Sequence, residues 1–142
     1  MCTLTYSIQS DYTVRTLVYN FVASVKSYLN RKRKRIDKIV PSEYKKDIQG
    51  ILEKYWKSGR KKTAIDKIVI IRDRFEHEEI TDLSLVKEIY TDKIVYIFKY
   101  KQDDFLMLAK NCVDELGSMN SEIESYINLN LDSLHLRQNC LF

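Results

Sequence analysis

Residues 64–79 read AIDKIVIIRDRFEHEE, and this stretch determines where the rest of the fold and its candidate site are expected to lie. Its first half places Ile65, Ile68 and Val69 at helical spacing, which predicts a helix with one face in a core. Its second half is polar and reaches His77. A helix that begins apolar and ends polar predicts a polar cluster at one end of the core. Thr63 is the expected N-cap of this helix, and residues 77–79 are its expected end.

Two amphipathic helices are predicted before this stretch. The first begins near Tyr12 and continues toward Ile39, and Pro41 ends it. Ser42 is the expected N-cap of the second helix, on which Trp56 is predicted to be a core residue. The apolar stripe of the first helix recurs at steps of three and four and consists of Val14, Leu17, Val18, Phe21, Val22, Val25 and Leu29.

Residues 83–102 allow two interpretations. Ile94, Tyr96, Phe98 and Tyr100 fall on alternate positions, which favours a small β-hairpin around residues 85–101. A helix is the alternative, because the positions between them also include apolar residues. A last helix is predicted from residues 102–104 onward, with Cys112 in its apolar stripe.

Composition predicts one mainly helical domain over residues 1–142. Three Gly and one Pro in 142 residues favour long helices over a turn-rich β fold. The three cysteines have neither zinc spacing nor a disulfide pattern, so a reduced, cytoplasmic location is expected. No apolar run of about 18 residues predicts a transmembrane helix, and the N-terminus does not resemble a signal peptide. No membrane partner is therefore expected.

Charge is divided unevenly between the two halves of the chain. Residues 1–71 hold 16 Lys and Arg against 6 Asp and Glu, a net charge of +10, whereas residues 72–142 hold 8 against 14, a net charge of −6. Such asymmetry indicates contact with a polyanion, or association between chains through opposite patches.

Two basic runs carry much of the positive charge, and both are candidate nucleic-acid-binding segments. Their members are Arg31, Lys32, Arg33, Lys34 and Arg35 in the first run and Arg60, Lys61 and Lys62 in the second. Phosphate contact is one interpretation of the first run. A solvated end of a helix is the other.

The sequence contains few recognisable catalytic patterns. It has no Gly-rich phosphate loop, no nucleophile elbow and no zinc-ligand spacing, so neither a metal nor a cofactor is expected. What remains is Arg72 and His77 at the polar end of the predicted helix. Arg offers a fork of donors to a phosphate, and His moves protons near neutral pH. Together they suit metal-independent RNA cleavage, in which the ribose 2′-OH attacks the adjacent phosphorus.

The segment Arg72-Asp73-Arg74-Phe75-Glu76-His77 resembles the R-x4–6-H motif of HEPN domains, where a polar residue, most often Asn, commonly follows the Arg. The basic helix around residues 18–35 is also similar to the opening helix of some HEPN-like proteins. The resemblance implies an antiparallel bundle of four to five helices, a homodimer with facing motif helices, and metal-independent endoribonuclease activity. It implies catalytic roles for Arg72 and His77, with Asp73 orienting His77 or pairing with an Arg. Proteins of this kind often serve in toxin–antitoxin or phage-defence systems, which adds RNA and an antitoxin or other regulatory protein as expected partners.

Two other interpretations remain open. Arg72 and His77 can be surface or capping residues, with Arg72 paired to Glu76 one helical turn away. The chain is then a non-catalytic helical module that binds RNA or a protein partner through its basic N-terminal half, or a dimerisation domain.

Overall fold

The computed structural model describes residues 2–7, 12–57, 63–77 and 83–130. The helices and strands within these ranges are, in chain order, β1 (Cys2–Ser7), α1 (Tyr12–Ile39), α2 (Ser42–Tyr55), α3 (Ala64–His77), β2 (Leu83–Ile89), β3 (Ile94–Tyr100), β4 (Asp103–Asp104) and α4 (Phe105–Leu129). The described chain is therefore mainly helical, with a small antiparallel sheet. None of its helices combines the length and the apolar character that crossing a membrane requires.

The four helices of the described chain pack around one apolar core. α3 lies against α1 and α4, and α2 lies against the same two helices. The predicted stripe of α1 is buried at Val18, Val22, Val25 and Leu29, as expected from its spacing. Leu17 is the exception: it is 65% exposed, because it lies about 100° around α1 from Val18, beyond the edge of the buried stripe.

The sheet is larger than the predicted hairpin. β2 and β3 pair antiparallel, with Leu85 opposite Phe98, and the backbone N–H of Tyr90 donates to the carbonyl of Lys93 at the turn between them. β1, which was not predicted, pairs with β2, and β4 pairs with β3, which gives the order β1-β2-β3-β4. The helical alternative for residues 83–102 is therefore wrong. The Phe98 ring contacts Phe105 of α4 at 5.1 Å between centroids, which joins the sheet to the helical core.

The helix caps agree with the sequence in part. Asp104 caps α4 by accepting a hydrogen bond from the Met107 N–H. The prediction that Ser42 caps α2 is wrong, because Pro41 is the N-cap and Ser42 is the first helical residue. The Pro41 carbonyl accepts the first hydrogen bonds of the helix, from the N–H groups of Tyr44 and Lys45, and the N-cap residue makes no side-chain capping bond.

Candidate functional site

The N-terminus of α3 is held by an extensive set of hydrogen bonds. The Asp66 N–H donates to Thr63 Oγ1 at 3.0 Å, and the Thr63 N–H donates back to Asp66 Oδ2 at 3.4 Å, which is the reciprocal arrangement of a capping box. Glu115 of α4 accepts from the Ala64 N–H with both carboxylate oxygens, at 2.8 and 2.9 Å. Burial raises the pKa of Glu115, although these backbone hydrogen bonds oppose the increase. α3 therefore begins at a fixed point on α4.

The body of α3 fixes the direction in which its polar end extends. Ile65, Ile68 and Ile71 are fully buried, and Val69 is only 5% exposed. The following turn is only partly covered, and α3 ends at His77. A helix anchored at its N-terminus and buried along its middle presents its last turns in a defined position.

Arg72 lies between two carboxylates of its own helix. Its Nη1 is 3.0 Å from Oδ1 of Asp73, and its Nη2 is 3.5 Å from Oε1 of Glu76. The i,i+4 pairing with Glu76 is the contact expected if Arg72 were a surface residue. For Asp73 the sequence allowed two contacts, one that orients His77 and one that pairs with an Arg. The contact observed is the pair with Arg72. Arg72 is thus largely neutralised within the single chain, with its side chain 29% exposed.

Glu76 connects this helix to α1. The Tyr19 hydroxyl donates to Glu76 Oε1 at 2.9 Å, and the Tyr19 ring packs edge-on against Phe75 with centroids 5.7 Å apart. The hydrogen bond to Glu76 raises the pKa of Tyr19, since losing the phenolic proton would place two negative charges together. Arg15 of α1 completes the contact, with its guanidinium carbon 6.0 Å from the Phe75 ring centroid.

His77 is the last residue of α3 and is exposed. The continuous helix separates it from Arg72 by five residues, which is about 140° of rotation and about 7.5 Å along the axis. The fold of one chain therefore brings Arg72, Asp73 and Glu76 together, but it places His77 on a different side of the helix. Arg74, between them, donates to the Tyr100 hydroxyl and thereby ties this turn to β3.

The first basic run divides into exposed and buried members. Arg31, Lys34 and Arg35 are exposed on α1, and Arg33 is half-buried. Lys32 is only 3% exposed, with its Nζ 5.7 Å from the Tyr28 ring centroid, so it is not part of the exposed basic surface. Burial, with a smaller contribution from Arg35, lowers the pKa of Lys32 to about 8.

The second basic run, with Arg60, Lys61 and Lys62, lies outside the described residues. In the part of the chain that is described, no three His, Cys, Asp or Glu side chains are grouped closely enough to hold a metal ion.

Sequence reasoning did not identify Tyr19 as part of the candidate site. Tyr19 and Glu76 are 57 residues apart, and no local pattern predicts such a contact. The burial of Lys32 was also missed, although a signal was present. Lys32 lies seven residues after Val25 and three after Leu29, so it continues their buried stripe.

No protein-family model, curated protein or solved structure matches this chain at a significant level.

Proposed function

We propose that this chain is a metal-independent endoribonuclease that acts as a homodimer, as its HEPN-like motif implies. The observation that best supports the proposal is the location of Arg72 and His77 in the last two turns of α3, a helix fixed at its other end by Thr63 and Glu115. Exposure of His77 leaves its imidazole accessible to a substrate.

The proposed chemistry needs a phosphate ligand and a proton carrier. Arg72 binds the scissile phosphate and stabilises the charge that develops as the ribose 2′-OH attacks phosphorus. As the bond between the 2′-oxygen and phosphorus forms, the bond from phosphorus to the 5′-oxygen breaks, and His77 takes the proton of the 2′-OH or gives a proton to the departing 5′-oxygen. A guanidinium has five N–H donors, so the pairs with Asp73 and Glu76 leave donors for phosphate oxygens. In this arrangement Asp73 orients the guanidinium of Arg72.

The proposal requires two chains because one helix separates Arg72 from His77. A two-fold axis beside the end of α3 brings Arg72 of one protomer toward His77 of its partner, in one cleft. The exposed cations of α1, Arg31, Lys34 and Arg35, attract RNA toward the protein. A cytoplasmic toxin–antitoxin or phage-defence setting, with an antitoxin or other regulatory protein, is the context that the motif implies.

The test is cleavage of a mixed RNA pool in EDTA by the wild-type protein and by the Arg72→Ala and His77→Ala variants. The proposal expects 2′,3′-cyclic phosphate ends from the wild type, and loss of cleavage by at least about 100-fold in either variant, through loss of charge stabilisation in Arg72→Ala and of acid–base catalysis in His77→Ala. His135→Ala removes the other of the two histidines and serves as the matched control. Cleavage that survives Arg72→Ala and His77→Ala would refute the assignment.

A second candidate function is RNA or protein binding without catalysis, through the basic N-terminal half. The observation that favours it is the pairing of Arg72 with two carboxylates inside one chain, because negative charge beside the guanidinium opposes phosphate binding. In this case His77→Ala leaves binding unchanged, whereas replacing Arg31, Lys34 and Arg35 by Gln abolishes it.

A further inference from the structure

Trp56 is the chain's single tryptophan and lies at the C-cap of α2. It is 1% exposed, and two cations from α1 cover its ring. Nζ of Lys26 is 4.9 Å from the ring centroid, and the guanidinium carbon of Arg33 is 4.2 Å from it. Both distances are within the range of a cation–π interaction, for which tryptophan is the strongest aromatic partner. The indole therefore fixes two flexible cationic side chains.

Lys26 and Arg33 come to the same ring because they are seven residues apart on α1, which is close to two full helical turns. Both residues are partly exposed, so ligands in solvent can reach them. Within the described ranges, neither has a carboxylate oxygen within 4.0 Å. Two like charges are thus held over one ring without a described counter-ion, and binding an anion would relieve their repulsion.

We propose that Lys26 and Arg33, positioned by Trp56, form a binding site for backbone phosphates of single-stranded RNA. The RNA identity of the ligand rests on the proposed function. A guanidinium that lies over a ring face keeps its N–H groups at its edge, where two of them can bind two phosphate oxygens. The ammonium of Lys26, whose Nζ lies 4.9 Å from the same ring centroid, supplies a second point charge beside the guanidinium.

The position of this site on α1 favours an extended polyanion over a single small anion. Arg31, Lys34 and Arg35 are exposed on the next turns of the same helix. Lys34 lies about 100° around α1 from Arg33 and about 12 Å along the helix from Lys26, so a strand bound at Lys26 and Arg33 can contact Lys34 at a further phosphate, whereas Arg31 and Arg35 lie on the far side of the helix. The Trp56 site would then fix the strand at one flank of α1.

The experiment measures binding of a fluorescently labelled single-stranded RNA of mixed sequence by anisotropy at several salt concentrations. All proteins carry His77→Ala, so that the RNA stays intact if the chain cleaves it. The test variant is Lys26→Gln with Arg33→Gln. The matched control is Lys45→Gln with Lys46→Gln, which removes the same charge from α2. Melting curves verify that each variant is folded.

We expect the Lys26/Arg33 variant to bind RNA at least tenfold more weakly than the control variant. We also expect the slope of log affinity against log salt to fall by about 1.4, because two phosphate contacts to a single strand are lost. Since Trp56 is the only tryptophan, its emission should change on RNA binding in the control and not in the test variant.

Three results would overturn the proposal. One is no RNA binding by the control protein, and another is an equal loss of affinity in the test and control variants. The third is equally tight binding of poly-glutamate, which would indicate an acidic protein partner. Failure of the proposed ribonuclease function can be told apart from failure of this binding site. In that case the protein with His77 intact would not cleave RNA, whereas selective RNA binding at Lys26 and Arg33 would persist.

Discussion

Replacing Lys32 by methionine should stabilise the protein, and by an amount that depends on pH. Lys32 is 3% exposed, and its pKa falls from the usual 10.5 to about 8. Between about pH 8 and pH 10.5, the unfolded chain therefore binds more protons at this residue than the native state does. The free energy of unfolding rises with pH through that window, as the native lysine loses its charge first.

The size of the effect follows from the two pKa values. At pH 7 the charged lysine costs the native state up to about 3 kcal/mol, at 1.36 kcal/mol for each pKa unit, and at pH 10 this cost falls to about 1 kcal/mol. Methionine has a similar length and no charge. Lys32→Met should thus be more stable than the wild type by up to about 3 kcal/mol at pH 7, and by about 1 kcal/mol at pH 10.

Urea unfolding at both pH values measures this difference directly, and other titrating groups cancel because both proteins contain them. Lys34→Met is the control, because Lys34 is exposed two residues away on the same helix. Its difference from the wild type should be small and the same at both pH values. A stability gain for Lys32→Met that does not change between pH 7 and pH 10 would refute a depressed pKa. A loss of stability at pH 7 would show that the charged lysine stabilises the native state.

Four further predictions concern the helices and the candidate site. Thr63→Ala removes the cap of α3 and should cost about 1 kcal/mol in urea unfolding, whereas Thr63→Ser should retain most of that stability. Leu17→Gln should change the free energy of unfolding by less than about 0.5 kcal/mol, because Leu17 is 65% exposed. Burial raises the pKa of Cys112 to about 12, so in a Cys2→Ser, Cys140→Ser background the native thiol should resist alkylation until the protein unfolds. Glu76→Gln should lower the pKa of Tyr19 toward its usual value in an NMR titration of isotope-labelled tyrosine, and an unchanged titration would contradict the observed hydrogen bond.

Local patterns predicted the features that depend on local interactions. The apolar spacing of α1 and α3 set their buried faces, and Thr63 acts as the predicted cap. The alternation before Tyr100 indicated strand β3. The i,i+4 contact between Arg72 and Glu76 also follows from helical spacing alone.

Features that depend on distant parts of the chain were not predictable in this way. β1 was missed although a local signal was present, because Cys2, Leu4 and Tyr6 alternate with polar residues as in a strand. What the local pattern does not predict is its partner, β2, about 80 residues later. The bond between Tyr19 and Glu76 depends on how α1 packs against α3. The two cations over Trp56 likewise require α1 and α2 to lie side by side, and neither helix alone indicates that contact.

The pairing of β1 with β2 imposes an order on folding during synthesis. Translation proceeds from the N-terminus, so β1 leaves the ribosome long before Leu83–Ile89, its antiparallel partner. α1, α2 and α3 are synthesised in the interval, and their mutual contacts can form first. β1 stays unpaired until β2 has been synthesised. Their pairing then has to offset the entropy cost of closing the long loop between them. Pairing of β1 with β2 therefore follows the synthesis of α1, α2 and α3, and α4 is synthesised after all four described strands.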